Sequence, residues 1–199
     1  MIVFLHVDDI TIACNDKEMM TNEKKDMENK FEMQDLGEAH HILGINISGK
    51  RKECVLRISQ RNYLEKLLER FQMKDCKPVA TPIEANNTLT KLKAEETPIN
   101  LTDHQAAVGY LIYAMTMTQP DLATALGILG KFLSIPGQEH WKALIRVLRS
   151  IKGTLHVGSE LNASNHTAVN VTGFTDADWA GDVTEIKSTS GYLFQFVVV

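Results

Sequence analysis

Residues 4–13 have the sequence FLHVDDITIA, in which two adjacent aspartates separate two short apolar runs. The runs Ile2–Leu5 and Ile10–Ala13 are rich in β-branched residues, and this predicts two strands joined by a tight turn over His6–Asp9. Adjacent carboxylates repel each other, and a divalent cation bound between them removes the repulsion. The turn is therefore a candidate metal site, and the alternative is a solvent-exposed Asp-Asp turn.

Hydrophobic periodicity predicts a helix and then a hairpin after this turn. The helix is predicted over 17–32. The hairpin is predicted from strands at 40–48 and 53–58, with its turn at Gly49–Lys50.

Helices dominate the predicted structure of the central part of the chain. Ser59 is predicted to cap a helix over 60–72, and the Pro- and Thr-containing stretch 75–103 is the best candidate for a linker. Further helices are predicted near 104–117, 121–134 and 138–152, and strands at 154–157, 168–174 and 191–199. This order of elements predicts the α+β fold class.

Composition is that of an ordinary globular protein, with 199 residues, 44% hydrophobic residues and a formal net charge of −4. Three scattered cysteines are too few for a disulfide framework or a zinc knuckle. The sequence has no apolar stretch long enough for a membrane span, and its opening residues do not have the pattern of a signal peptide. We expect a protein of a reducing compartment with no membrane partner.

Charge is distributed unevenly along the chain. Residues 1–50 carry a net charge of −5 from 10 acidic and 5 basic side chains. Residues 51–77 carry +4 from 8 basic and 4 acidic side chains, and residues 131–157 carry +4 from 5 basic and 1 acidic side chain. Two basic segments beside an acidic site are what a nucleic-acid polymerase needs, and the alternative is a set of solvated helix faces.

Both ends of the sequence are strand-like, since it opens with IVFL and closes with FQFVVV. Apolar strands at both ends need partners on their faces and edges. We therefore expect the chain to be part of a longer polypeptide in which a site is present only in part.

Five stretches together resemble the Pol polyprotein of copia-type (Ty1/copia) retrotransposons. The turn FLHVDDITIA resembles motif C of the reverse-transcriptase palm, and the other four stretches match the family in order and spacing. These are FEMQDLGEAHHILGINI (31–47), ISQRNYLEKLLERFQMKDCKPVATPI (58–83), VGYLIYAMTMTQPDLATALGILGKFLSIPGQEHWKALIRVLRSIKGT (108–154) and GFTDADWAGD with KSTSGY (173–182 and 187–192).

The resemblance implies a division of the chain into three parts. Residues 1–75 would be the C-terminal palm and thumb of reverse transcriptase, from motif C onward. Residues 76–167 would be a linker and helical connection, and residues 168–199 the truncated N-terminal start of an RNase H-like domain.

The resemblance also implies roles for individual residues. Asp8, Asp9 and Asp176 would be catalytic carboxylates that bind metal, while Leu43, Gly44 and Ile45 would form the primer grip. The nucleic-acid-binding side chains would be Arg61, Lys66, Arg70, Arg146 and Arg149. The alternative for Leu43 and Ile45 is that they are ordinary core residues of a strand. The alternative for each basic residue is that it is a solvated surface charge. His6 stands where the family usually has Tyr.

Cofactor, partners and location follow from the same resemblance. The cofactor would be Mg²⁺ or Mn²⁺, and the partners an RNA/DNA template–primer and the remainder of the Pol polyprotein. The intact protein would copy RNA into DNA in a cytoplasmic virus-like particle. This chain lacks motif A and most of the RNase H carboxylates, so we expect it to be inactive alone.

Two alternative hypotheses remain. One is a non-catalytic nucleic-acid-binding relic or a domesticated gene product, which His6 and the missing motif A favour. The other is an unrelated α+β protein with chance motifs, against which the number of matched stretches argues.

Overall fold

The computed structural model describes residues 1–84, 89–92, 99–163, 169–179, 181 and 186–198. Its strands and helices are β1 (Ile2–His6), β2 (Asp9–Ala13), α1 (Lys17–Lys30), β3 (His41–Ile42), β4 (Ile45–Lys50), β5 (Val55–Ser59), α2 (Arg61–Arg70), α3 (Leu101–Met117), α4 (Ala123–Gly130), α5 (Gln138–Thr154), β6 (Ser159–Asn162), β7 (Val169–Ala177) and β8 (Ser190–Val198). This mixture of helices and strands confirms the α+β class. The chain divides into two compact units, Met1–Ile42 and Leu43–Val199.

The first unit contains the hairpin predicted around the two aspartates. Strands β1 and β2 pair antiparallel, from Ile2 opposite Ala13 to His6 opposite Asp9. Helix α1 begins after Asp16, whose carboxylate accepts hydrogen bonds from two backbone N–H groups of the first turn. The two strands and the helix are confirmed, and the turn is narrower than predicted because only two residues join the strands.

The second unit opens with an antiparallel sheet of β4, β5 and β6, in which β5 is central. A single 3₁₀ turn at Arg51–Glu53, followed by Cys54 in the left-handed region, connects β4 to β5. The predicted turn at Gly49–Lys50 is wrong, because both residues continue β4 and pair with β5. The predicted strand at 154–157 is also wrong, because α5 continues through Thr154 and β6 begins at Ser159.

Helix α2 follows β5 directly. Ser59 is not its cap, because Ser59 ends β5 and pairs with Asn46. The N-cap is Gln60, whose side chain makes no capping hydrogen bond. Helices α3, α4 and α5 confirm the other predicted helices, and a short 3₁₀ turn at Pro120–Leu122 precedes α4.

One hydrophobic core joins α2 to the three later helices. Its buried side chains are Leu64, Leu67, Leu68, Ala107, Val108, Leu111, Ala114, Leu122, Ala125, Leu126, Leu129, Ala143, Leu144, Val147, Leu148 and Ile151. Burial of these apolar faces is the main source of stability that the sequence offers this unit. None of the described helices is long and apolar enough to cross a membrane.

The predicted linker 75–103 is only partly described, and its Pro98 lies outside the described residues. Its described parts contain neither helix nor strand before Leu101. The backbone N–H of Val79 donates to the carbonyl of Arg149 at 3.3 Å, and Ile83 and Leu89 pack against the core. These parts of the segment are therefore attached to the helical core.

Strands β7 and β8 form a long antiparallel hairpin, with Asp176 opposite Gly191. The predicted strands at 168–174 and 191–199 are confirmed over the described residues. Large apolar side chains of this hairpin are exposed, including Phe174 at 55% and Tyr192 at 78%.

Candidate metal and nucleic-acid sites

The two adjacent aspartates lie at the tip of the β1–β2 hairpin. Val7 and Asp8 form the turn, and Asp9 is the first residue of β2, directly opposite His6. Both carboxylate side chains are exposed. Val7 has a φ of 52°, which a β-branched residue rarely adopts and which costs about 1–3 kcal/mol. Backbone strain of this kind is concentrated at functional sites, so the turn is the strongest candidate in the first unit.

The donor chemistry of this turn suits a hard divalent cation. Magnesium prefers carboxylate oxygens and is usually bound through one or two carboxylates together with substrate phosphates. The described residues contain no group of three or more His, Cys, Asp or Glu side chains placed to bind a metal ion. The carboxylates of Asp8 and Asp9 are of the donor type that Mg²⁺ prefers, and the binding of an ion by this turn stays a prediction.

Residues Leu43, Gly44 and Ile45 form a tight turn that leads into β4. Leu43 has a φ of 51° and Gly44 a φ of 75°, and two successive left-handed residues are typical of a type I′ turn. The predicted continuous strand at 40–48 is therefore interrupted here. Glycine suits the second position, whereas Leu43 adopts this conformation at an energetic cost.

Aromatic side chains of α2 and α3 contact this turn. The hydroxyl of Tyr113 donates a hydrogen bond to the carbonyl oxygen of Leu43. The ring of Tyr63 lies beside Gly44, where an added Cβ would be 3.7 Å from the ring carbon Cδ2. The Tyr63 and Tyr113 rings meet edge to face with 5.1 Å between their centroids.

Tyr63 is itself held by α3. Its hydroxyl donates to the carbonyl oxygen of Tyr110 at 2.9 Å, and burial raises the pKa of Tyr63 to about 12. Tyr63 therefore remains a neutral hydrogen-bond donor well above neutral pH. Neither Tyr63 nor Tyr113 was predicted from the sequence to be a site residue. The spacing of Tyr110 and Tyr113, three residues apart on a helix, was the available signal.

The three basic candidates on α2 are exposed and have different surroundings. Arg61 pairs with Glu65 at 2.9 Å, one helical turn away. The guanidinium carbon of Arg70 lies 4.8 Å from the centroid of the Tyr110 ring, which is a cation–π contact. Lys66 lies between them in the sequence of the helix. The three side chains provide positive charge along α2.

The two basic candidates on α5 form hydrogen bonds with the segment that follows α2 and so hold this segment against α5. Arg146 donates to Glu84 at 2.7 Å and to the Thr81 hydroxyl at 3.1 Å. Arg149 donates through Nε to the carbonyl oxygen of Lys77 at 2.8 Å. Both guanidinium groups therefore have partners within the chain, and their contact with nucleic acid stays a prediction.

Asp176 lies near the end of β7 and is exposed. Its carboxylate accepts a hydrogen bond of 2.9 Å from the backbone N–H of Ala177. The neighbouring Asp178 accepts a bond of 2.6 Å from the backbone N–H of Thr189 and so extends the pairing of β7 with β8. Asp182, another acidic residue of this stretch, lies outside the described residues.

Comparison with known proteins gives one family and several relatives. A family model described as "Reverse transcriptase (RNA-dependent DNA polymerase)" matches residues 1–85. The chain is 41% identical over 201 residues to the "Retrovirus-related Pol polyprotein from transposon TNT 1-94" of Nicotiana tabacum, covering 98% of this chain and 15% of that protein. It is 36% identical over 191 residues to the corresponding polyprotein from transposon RE2 of Arabidopsis thaliana, covering 96% of this chain and 13% of that protein.

A third relative is much closer in length to this chain than the polyproteins are. It is an "Uncharacterized mitochondrial protein" of Arabidopsis thaliana, 34% identical over 194 residues, and the match covers 96% of this chain and 77% of the relative. The chain thus spans about one seventh of the polyproteins that it matches and most of this shorter protein. No solved structure gives a significant match.

Proposed function

Because this chain belongs to the reverse-transcriptase family of copia-type retrotransposon Pol polyproteins, we propose that it binds an RNA/DNA template–primer duplex as part of an RNA-directed DNA polymerase. The observation that carries the proposal is the strained β1–β2 turn, which presents Asp8 and Asp9 to solvent. Within the polyprotein, residues 1–75 would belong to palm and thumb and 76–167 to the connection. Residues 168–199 would be the first strands of an RNase H-like domain.

The metal proposed for the turn is Mg²⁺ or Mn²⁺. Such an ion, when bound, stabilises the charge on the oxygens of a phosphoryl group during transfer. Asp8, in the turn itself, is the proposed principal ligand, and Asp9 is the second. Asp176 is the proposed metal ligand of the RNase H-like part.

The proposed primer contact is the Leu43–Gly44 turn with Ile45. The backbone of the turn is fixed by the Tyr113 hydrogen bond, and the side chain of Leu43 is 43% exposed. An apolar side chain on a fixed backbone suits contact with the sugar of a primer nucleotide, while Gly44 permits the nucleic-acid backbone to approach.

The proposed phosphate contacts come from Arg61, Lys66 and Arg70 on α2 and from Arg146 and Arg149 on α5. Neutralisation of phosphates by such cations releases counterions from the nucleic acid, so binding is expected to weaken steeply with increasing salt concentration. The proposed location is the cytoplasmic particle of the element, with the remainder of the polyprotein as the protein partner.

A photocrosslinking experiment tests the function. A benzophenone amino acid replaces Leu43 in one variant and Leu56 in a control, because these leucines are similarly exposed, at 43% and 40%. A recessed-primer duplex is added, and crosslinks to the primer and template strands are quantified. Crosslinking of the primer strand from position 43, with little from position 56, is the expected result. Equal labelling from both positions, or no binding of the duplex at low salt, would overturn the proposal.

A second candidate function is nucleic-acid binding without catalysis. His6, an imidazole opposite Asp9, favours it because the family usually has Tyr at that position. Duplex binding that is the same with and without Mg²⁺ is the result expected of this alternative.

A further inference from the structure

The main chain of Leu43 is held by a side chain from a distant helix. Tyr113 of α3 reaches across 70 positions of sequence and donates its hydroxyl hydrogen to the Leu43 carbonyl oxygen. The acceptor is the backbone carbonyl of a residue in the left-handed conformation, so the hydrogen bond constrains the path of the backbone through the turn. A left-handed non-glycine residue is retained only where its surroundings hold it in place.

The orientation of Tyr113 is fixed in turn by Tyr63. The two rings are inclined at 75° and meet edge to face, an arrangement favoured by aromatic quadrupoles. The ring of Tyr63 lies beside the other residue of the turn, Gly44, and the Tyr63 hydroxyl donates to the carbonyl oxygen of Tyr110 on α3. One tyrosine therefore bonds to the turn and the other lies beside it, so the pair connects the turn to α2 and α3.

We propose that Tyr113 is a positioning residue that sets the Leu43–Gly44 turn in the conformation that receives the primer end. The inference rests on the proposed function, since it assigns to the turn the primer contact described above. It adds that residues of the proposed connection, far along the chain from the aspartates, determine how the primer terminus is recognised. Tyr63 supports the Tyr113 ring and the Gly44 backbone in this arrangement.

The variant Tyr113→Phe removes the hydroxyl and keeps the ring. Tyr192→Phe is the matched control, because Tyr192 lies on β8 and is 78% exposed. The first measurement is hydrogen–deuterium exchange of a peptide containing Leu43, Gly44 and Ile45. Loss of one hydrogen bond is expected to raise its exchange rate about threefold to tenfold in Tyr113→Phe, with peptides of α4 and α5 unchanged.

The second measurement is the preference of the full chain for a recessed-primer duplex over a blunt duplex of the same length. We expect Tyr113→Phe to lose most of this preference while the salt dependence of binding stays the same. Tyr192→Phe should match the unsubstituted chain in both measurements.

The outcomes separate this inference from the proposed function. Failure of the unsubstituted chain to bind either duplex, or to prefer the recessed one, would overturn both. A retained preference in Tyr113→Phe, or unchanged exchange at the turn, would overturn only the role of Tyr113. Faster exchange together with a lost preference would support it.

Discussion

The buried hydroxyl of Thr118 donates a hydrogen bond of 2.8 Å to the side-chain carbonyl oxygen of Gln60. The bond connects the end of α3 to the start of α2, 58 positions apart in the sequence. The Nε2 group of Gln60 is buried and has no hydrogen-bond partner among the described residues. The Thr118 hydroxyl therefore provides the hydrogen bond for the side-chain oxygen of Gln60, a polar group that is costly to bury without a partner.

Thr118→Val is expected to lower the free energy of unfolding by about 1–3 kcal/mol, because it leaves the Gln60 carbonyl buried without a partner. Urea denaturation measures the change. Thr116→Val is the control, since Thr116 is exposed near the end of α3 and its hydroxyl donates to the carbonyl groups of Ile112 and Tyr113 on that helix. Equal destabilisation by both substitutions would contradict the role given to the Gln60 bond.

Gly44→Ala is expected to destabilise the protein by about 1 kcal/mol, because alanine disfavours a φ of 75°. Space is not the limiting factor, since the nearest ring carbon would be 3.7 Å from the new Cβ. Gly109→Ala on α3 is the control, where an added Cβ meets nothing within 4 Å. That control should gain roughly 0.5–1 kcal/mol from helix propensity. Opposite signs in thermal unfolding are the expected result.

His104 is expected to make the protein sensitive to acid. Burial, and secondarily the charge of His140, hold its pKa below the ordinary value of 6.5. The unfolded chain then binds a proton at a higher pH than the folded chain. The contribution of His104 to the free energy of unfolding is therefore present above pH 6.5, and it is lost as the pH falls through and below that value.

Unfolding of His104→Leu, followed by urea between pH 5 and pH 8, checks this expectation. The variant should show a weaker loss of stability on acidification than the unsubstituted chain. His156→Leu, at an exposed histidine, should retain the full loss. An unchanged acid profile in His104→Leu would show that other groups cause the pH dependence.

Asp8→Asn is expected to raise the Mn²⁺ concentration needed for half-saturation by about tenfold or more, because it removes a charged ligand. Titration of Mn²⁺, followed by the relaxation of water protons in the presence of duplex, provides the measurement. Asp26→Asn, at an exposed acidic residue of α1, controls for the change in net charge. Equal effects of the two substitutions would mean that Mn²⁺ binding depends on the net charge of the chain and not on Asp8 as a ligand.

Glu84→Gln is expected to strengthen duplex binding, because it releases the Arg146 guanidinium from its 2.7 Å ion pair. Arg146→Gln should weaken duplex binding. It should also reduce, by about one, the magnitude of the slope of the logarithm of the association constant against the logarithm of the salt concentration. Glu139→Gln is the charge-matched control, since its carboxylate pairs with Lys142 on the same helix. If Glu84→Gln and Glu139→Gln had the same effect, Arg146 would have no phosphate contact.

Periodicity was sufficient to predict the helices and the first hairpin. The helix predicted over 60–72 is present as α2, and its Leu64, Leu67 and Leu68 share one face that lies in the core. In the β1–β2 hairpin the two aspartates mark the turn, because charged residues between β-branched runs have no place in a strand interior. Both patterns involve residues close together in the sequence, so these elements can be predicted without knowledge of the tertiary structure.

Turns that depend on backbone conformation could not be placed in the same way. Gly49 suggested a turn, but the chain reverses at Arg51–Glu53 and Cys54, which has a φ of 54°. Leu43 gave no local sign of its left-handed conformation. That conformation is stabilised by Tyr113, which is adjacent only after the helices have packed. The left-handed conformation of the Leu43–Gly44 turn was therefore beyond prediction from local pattern.

The shared core of α2 with the later helices has a genetic consequence. Leu64 and Leu68 lie in one cluster with Leu111 and Leu144, although a long segment of coding sequence separates them. A rearrangement that broke the gene between α2 and α3 would leave each product with an apolar helix face and no partner for it. Copies of this sequence that still fold are therefore expected to have inherited both coding segments together, joined in frame.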